Sequence, residues 1–176
     1  MLTYDEMVEK TREFYDELQI DIPDKHVDLA VKSLTMPQYA KEFNDKFHKE
    51  IGDHRPLATV GNAICAAYIM LKFYEDSLTA DDLNKKKEVL QNKELNIVGE
   101  QVLKDVLFAR NNDLSSNNEN ENKKAYATAI EAVIGFISII NKKCVFETIE
   151  RIWDKYVANA STYIDENNFY VQDKKI

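Results

Sequence analysis

Glu131 is the residue most in need of a chemical explanation. It sits in the middle of "AYATAIEAVIGFISII" (125–140), a run otherwise almost wholly apolar. An unpaired charge inside a packed core is strongly destabilising, so this carboxylate requires water or a partner. On a helix, steps of three and four place Lys124, Thr128, Gly135, Ser138 and Lys142 on its side, with Ile130, Val133, Ile134, Ile137 and Ile140 opposite. A solvent-facing stripe is the plain reading. The small residues Ala125, Ala127, Ala129, Ala132 and Gly135 favour a second backbone coming close instead. The stretch from Leu57 carries a matching strip, Ala58, Gly61, Asn62, Cys65 and Ala66. Two such helices crossing near Gly61 and Gly135 would bring the Asn62 carboxamide towards Glu131. That pair allows two chemistries. One is a metal-free amide–carboxylate hydrogen bond. The other is an oxygen donor set for a divalent cation, since Mg²⁺ needs only one or two carboxylates with water.

Other residue types offer less. His26, His48 and His54 lack zinc-ligand spacing, and no Cys–His cluster accompanies them. Cys65 and Cys144 lie in apolar helical pattern and read as small buried residues without a disulfide. No serine or cysteine nucleophile with a partnered base is visible. Lys85, Lys86, Lys87, Arg110, Lys123 and Lys124, with Lys142 and Lys143, are the candidates for contacting phosphates of a nucleic acid; solvated lysines balancing abundant acids are the plainer account of each.

The elements that must position these residues are helical. Thr3 with Glu6 forms a capping box ahead of Tyr4, Met7, Val8, Phe14, Tyr15 and Leu18. Pro23 suits a helix start, and Val27, Ala30, Val31 and Leu34 follow in phase up to Pro37, which ends or redirects the element. Tyr39, Phe43 and Phe47 are spaced by four. "IGDHRP" (51–56) reads as a turn before a long helix marked by Leu57, Val60, Ile64, Tyr68, Leu71 and Tyr74. Thr79 is an N-cap before Asp81 and Asp82. Val98, Val102, Val106 and Leu107 recur in the next stretch. "NNDLSSNNENEN" (111–122) cannot bury a face and reads as a mobile loop. A last amphipathic helix carries Val145, Phe146, Ile149, Ile152, Trp153, Tyr156, Val157, Ala160 and Ile164.

With 176 residues, 44% apolar and 31% charged, the chain fits one globular domain. Three prolines and four glycines suit helices better than hairpins, and the whole reads as all-α with six to eight helices. The net charge of −8 argues against coating nucleic acid through bulk electrostatics, though not against a local basic strip. The acidic N-terminus lacks the order of a signal peptide, and the 125–140 run is too short and interrupted to span a bilayer; the expectation is a cytoplasmic protein without membrane contact.

Several of these pieces resemble one family. "PLATVGNAICAAYIML" (56–71) is similar to the first signature helix of ribonuclease III, L-E-F-L-G-D-A-V-L, and "KKAYATAIEAVIGFI" (123–137) to the second, L-A-D-x-F-E-A-L-I-G. "DLAVKSLTMPQYAKEFND" resembles the upstream A-L-T-H-x-S-Y-x-x-E stretch, and "LNKKKEVLQNKELNIVGEQVL" with "FARNN" falls where the family has its helix pair and corner. The shape of "LATVGNA", "ARNN" and "ATAIEAVIGF" is closest to Mini-ribonuclease III, which lacks a double-stranded-RNA-binding domain. The resemblance implies an N-terminal helix over 1–22, a ribonuclease III-like all-α endonuclease domain over 23–165, a tail over 166–176 and no RNA-binding domain after it. It further implies homodimers paired through the first signature helix, with Thr59 where a bulky aromatic is usual and Ile64, Tyr68, Phe73 and Tyr74 remaining available.

The family hydrolyses double-stranded RNA with Mg²⁺ held by acids from the two signature helices. Here the acid positions read Ala58, Asn62 and Thr128, and Glu131 alone keeps its charge. Asn62 and Glu131 are therefore the catalytic and metal positions that the resemblance implies, for Mg²⁺ or Mn²⁺ if active. The expected function is RNA metabolism on double-stranded or structured RNA, not DNA, with catalysis weakened or lost. An active Mg²⁺-dependent endoribonuclease and an interaction or assembly module without RNA are the alternatives.

Overall fold

The computed structural model describes residues 1–75, 78–91, 95–110 and 119–160, without the side chains of 89, 119–123 and 154–160. The expected loop over 111–118, the domain limit at 165 and the tail over 166–176 lie outside the described residues, as do the side chains expected to extend the last apolar face beyond Trp153. Among the described residues there are eight α-helices and no strand. No helix there is long and apolar enough to cross a membrane.

Helix α1 (Tyr4–Glu17) starts at the Thr3–Glu6 capping box and buries Met7, Thr11, Phe14 and Tyr15. Gln19, at a positive φ of 58°, turns the chain out of it. Tyr15 fastens α1 to the core, with its ring centroid 4.9 Å from that of Phe136 and its hydroxyl 2.7 Å from Ser33 Oγ. A short 3₁₀ turn (Asp24–His26) leads into α2 (Val27–Ser33). Pro37 opens α3 (Pro37–Phe47), where its missing N–H costs nothing. Tyr39 and Phe43 are buried, but Phe47 stays more than a third exposed.

Helix α4 (Arg55–Lys72) buries Leu57, Ala58, Gly61, Cys65, Tyr68 and Ile69. Val60, Leu71 and Tyr74, expected on its apolar side, are exposed instead. Its core stripe follows the small residues, because they admit a neighbouring backbone that Val60 and Leu71 would hold off. Helix α5 (Ala80–Val89) starts at a Thr79–Asp82 capping box, and α6 (Leu95–Leu103) buries Leu95, Val98, Gly99 and Leu103. Helix α7 (Glu119–Ile140) begins inside the asparagine-rich segment, so 119–122 is helix rather than loop. It is the central element: residues 129–138 are buried without a break. Helix α8 (Val145–Ala160) packs against α6 and α7 and buries Val145, Ile149, Ile152 and Trp153, leaving Phe146 on the surface.

The start of α4 is pinned by the joint between α2 and α3. Phe108 donates its N–H to the Leu34 carbonyl at 2.8 Å, Met36 donates to the Phe108 carbonyl at 3.0 Å, and His54 donates to the Thr35 carbonyl at 2.9 Å. The Asn44 side chain bonds both the N–H and the carbonyl of Ile51, closing the loop ahead of α4. The entry of α4 and the exit of α6 are thus tied to one point.

Candidate functional site

Glycine decides how α4 meets α7. A Cβ on Gly61 would lie 2.5 Å from the Glu131 carbonyl carbon and 2.9 Å from the Gly135 nitrogen. A Cβ on Gly135 would lie 2.9 Å from the Leu57 carbonyl carbon and 3.1 Å from the Gly61 nitrogen. The two backbones are in contact, which is possible only because neither residue has a side chain. On its other side α7 meets α6 in the same way, since a Cβ on Gly99 would come within 2.7 Å of the Tyr126 carbonyl carbon.

This seam answers where Glu131 points. Its side chain is not on a solvent-facing stripe: the residue is only 8% exposed. Asn62, one residue beyond the contact glycine, donates from Nδ2 to Glu131 Oε1 at 2.8 Å. Burial pushes the Glu131 carboxyl up to about 7, and the Asn62 hydrogen bond opposes that shift only in part. Cys65, next along the strip, is buried; desolvation first and the Glu131 charge second push its thiol up. Cys144 is part-exposed rather than buried, and both thiols are free.

Two polar residues that carry no signal in the sequence bond near this site, Gln91 at the α4–α7 seam and Asn96 at the α6–α7 contact. Gln91 donates from Nε2 to the Asn62 carbonyl at 3.0 Å, and Asn96 Oδ1 accepts from the Ala127 N–H at 3.2 Å. Neither belongs to an apolar repeat; Gln91 follows α5 in a π-type turn, so no spacing rule flags it. His54 is a further surprise. It is 3% exposed, its Nδ1 has no hydrogen-bond partner among the described residues, and burial lowers its pKa to about 4.

Of the four positions from the acid pattern, Asn62 and Glu131 meet, Ala58 is buried on α4, and Thr128 is half-buried on α7 one turn before Glu131. Of the basic candidates, Lys85 pairs with Asp81 at 2.6 Å, one turn back on α5, and Lys86 Nζ stands 5.3 Å from the Phe73 ring centroid. Lys87 is half-buried. Arg110 pairs with Glu42 of α3 at 2.8 Å. Lys124, Lys142 and Lys143 are exposed, and the Lys123 side chain lies outside those described.

The divalent cation implied by the family resemblance is a poor match to these donors. Mg²⁺ takes a near-octahedral set of oxygens, several of them water, and needs one or two ionised carboxylates free to anchor it. Glu131 supplies one carboxylate, already engaged by an N–H donor and destabilised as an anion by burial. Asn62 turns its amino end, not its oxygen, towards that carboxylate. Among the described residues no group of three His, Cys, Asp or Glu could hold a metal.

The surface beside this seam is apolar. Thr59 and Val60 on α4 are exposed, and the Thr59 hydroxyl donates to its own Arg55 carbonyl at 3.2 Å. Val60, Ile64, Ile139, Val145 and Phe146 line an open groove of about 580 Å³, with Ser138 and Lys142 at its polar side. Tyr68 is not available there for a partner. It is 7% exposed, and its ring centroid is 5.8 Å from that of Phe146.

No protein-family model matches the chain, and no curated protein does. Solved structures do. A nuclease domain of ribonuclease III from Campylobacter jejuni, described for structural flexibility in its region involved in dimer formation, superposes with a TM-score of 0.61 at 18% identity, over 85% of this chain and 97% of that one. A 2.2 Å crystal structure of the nuclease domain from the same organism gives 0.59 at 20% identity, over 84% and 93%. The chain has the fold of a ribonuclease III nuclease domain.

Proposed function

We propose that this chain is a cytoplasmic ribonuclease III-like domain of RNA metabolism, spanning 23–165 behind α1, that pairs with a second copy and holds double-stranded or structured RNA with its cleavage chemistry lost or strongly weakened. The observation that carries this reading is the Asn62–Glu131 hydrogen bond, 2.8 Å long, at the crossing of the two helices that resemble the family's signature helices. A neutral amide stands where the family pattern calls for a second acid. One buried carboxylate cannot both activate water through a cation and offset the charge of a scissile phosphate.

Pairing is supported by α4 itself. Val60, Ile64, Ala67 and Leu71 follow one another at steps of four, three and four, with Val60 40% and Leu71 69% exposed. Such a stripe on a single helix suits a two-fold partner presenting the same stripe. Phosphate contacts are assigned to Lys85, Lys86, Lys87, Arg110, Lys123 and Lys124. An assembly module without RNA is the second reading. It is favoured by the net charge of −8 and by the acids already paired with Lys85 and Arg110.

Labelled duplex RNA incubated with the full chain and Mg²⁺ or Mn²⁺ tests the proposal. Retention of the duplex that falls with salt, and whose log–log salt slope flattens by about 2–3 when Lys85, Lys86 and Lys87 become glutamine, is the expected result. Strand cleavage abolished by Glu131→Gln would make the protein an active Mg²⁺-dependent endoribonuclease instead. Absence of any salt-dependent retention would favour the assembly module.

A further inference from the structure

We infer that the Asn62 carboxamide acts as a built-in substitute for a divalent cation, clasping α4 to α7 through Glu131, so that this seam is held without metal and does not take up Mg²⁺ or Mn²⁺. The inference rests on the reading of the seam as a ribonuclease III-type site and concerns what that site binds.

A buried carboxylate shared between two helices has to be compensated by positive charge or by hydrogen-bond donors. Among the described residues, burial and the Asn62 hydrogen bond are the influences that act on the Glu131 carboxyl, and the groups named around it are neutral. From α4 come Asn62, which donates to Oε1, and Cys65, a buried thiol kept protonated. The turn after α5 offers Gln91, whose amide is spent on the Asn62 carbonyl, and α6 offers Asn96, whose oxygen is spent on the Ala127 N–H. On α7 the same face carries Thr128 and Ser138, and the Ser138 hydroxyl donates to the Gly135 carbonyl at 2.7 Å. The donor facing the carboxylate is therefore the amide of Asn62. Its place is fixed twice over, by the Gly61 contact one residue before it and by Gln91 on its own carbonyl. A cation between Asn62 and Glu131 would have to displace that N–H, and among the described residues it would then find a single carboxylate as its charged anchor, with only water and neutral groups for its other positions.

Thermal unfolding of the full chain, in chelator and at about 10 mM Mn²⁺, separates the possibilities. The wild-type midpoint is expected to move by less than about 1 °C, because a ligand that does not bind the native state cannot shift it. Asn62→Ala is expected to lower the midpoint equally with and without Mn²⁺, since it removes the clasp and creates no site. Asn62→Asp is expected to unfold earlier in chelator and to recover with Mn²⁺, a recovery lost in Asn62→Asp/Glu131→Gln. Electron paramagnetic resonance of Mn²⁺ added to wild-type protein gives a direct reading that needs no variant to fold, and only free ion is expected. A wild-type midpoint or bound-Mn²⁺ signal that depends on Glu131, or an Asn62→Ala midpoint equal to wild type, overturns the clasp. These outcomes are distinct from those on RNA. Bound Mn²⁺ without cleavage sinks only the clasp, and a missing duplex complex sinks only the proposed function.

Discussion

Replacing Gly61 with alanine measures directly how close α4 and α7 lie. The new methyl would sit 2.5 Å from the Glu131 carbonyl carbon, whereas carbon atoms pack favourably at about 3.5–4.0 Å. Because the obstacle is backbone, the helices must part by roughly 1–1.5 Å. The Asn62–Glu131 bond, at 2.8 Å, would then stretch beyond hydrogen-bonding range. Overpacking costs about 1–3 kcal/mol, and leaving a buried carboxylate without its donor costs a further ~1–3 kcal/mol. Alanine's better helix propensity returns only about 1 kcal/mol. The net expectation is a loss of about 3 kcal/mol, which for a domain of this size lowers the thermal midpoint by roughly 6–12 °C. Calorimetry or circular dichroism reads this out, with Gly52→Ala as the control. A Cβ there meets only the flexible end of Lys32, 3.0 Å from its Cε, and stability should change by less than about 0.5 kcal/mol. A Gly61→Ala protein as stable as wild type, or more so, would mean that the backbones do not touch and would refute the account of the seam.

Acid and base should pull stability in opposite directions. The folded His54 pKa of about 4 lies below its ordinary 6.5, so stability from its neutral form is present above pH 6.5 and lost as pH falls towards 4. Glu131, raised from 4.5 to about 7, contributes the reverse: stability is greatest below pH 4.5 and lost as pH rises to 7. Each effect is about 2–3 kcal/mol at most, so the wild type should be nearly flat across pH 4.5–6.5 in chemical denaturation, while Glu131→Gln should weaken steadily on acidification there. Leu71→Lys, at a residue 69% exposed, should leave the unfolding free energy of the monomer within ~0.5 kcal/mol yet weaken self-association at least about tenfold in sedimentation equilibrium. Unchanged self-association would remove α4 from the pairing surface.

Much of the fold was readable because its signals are local. The capping boxes at Thr3 and Thr79 each depend on residues three apart, and both helices start there. Pro37 announced a break with a helix after it, and the structure makes the proline itself the first residue of that helix. The two small-residue strips were likewise visible, as was the prospect that Asn62 and Glu131 meet. Less legible was which side of α4 faces the core. Periodicity marks the bulky residues, so Val60, Leu71 and Tyr74 stood on the apolar side beside Leu57, yet all three are exposed. The asparagine-rich segment looked unable to support helix, yet α7 starts at Glu119, as an end of a long helix anchored further along can.

By itself the sequence determined an all-α chain and the residue pair at its most unusual point, because capping, helical period and the absence of side chains at Gly61 and Gly135 act over a few residues and need no partner to be named. Tertiary structure alone decided that Glu131 is shielded and paired, that Gln91 and Asn96 support its surroundings, and that His54 is buried beneath the α2–α3 joint. Those outcomes depend on backbones far apart in the chain coming into contact. A carboxylate's solvation is set by what covers it, and the covering helix lies about seventy residues away.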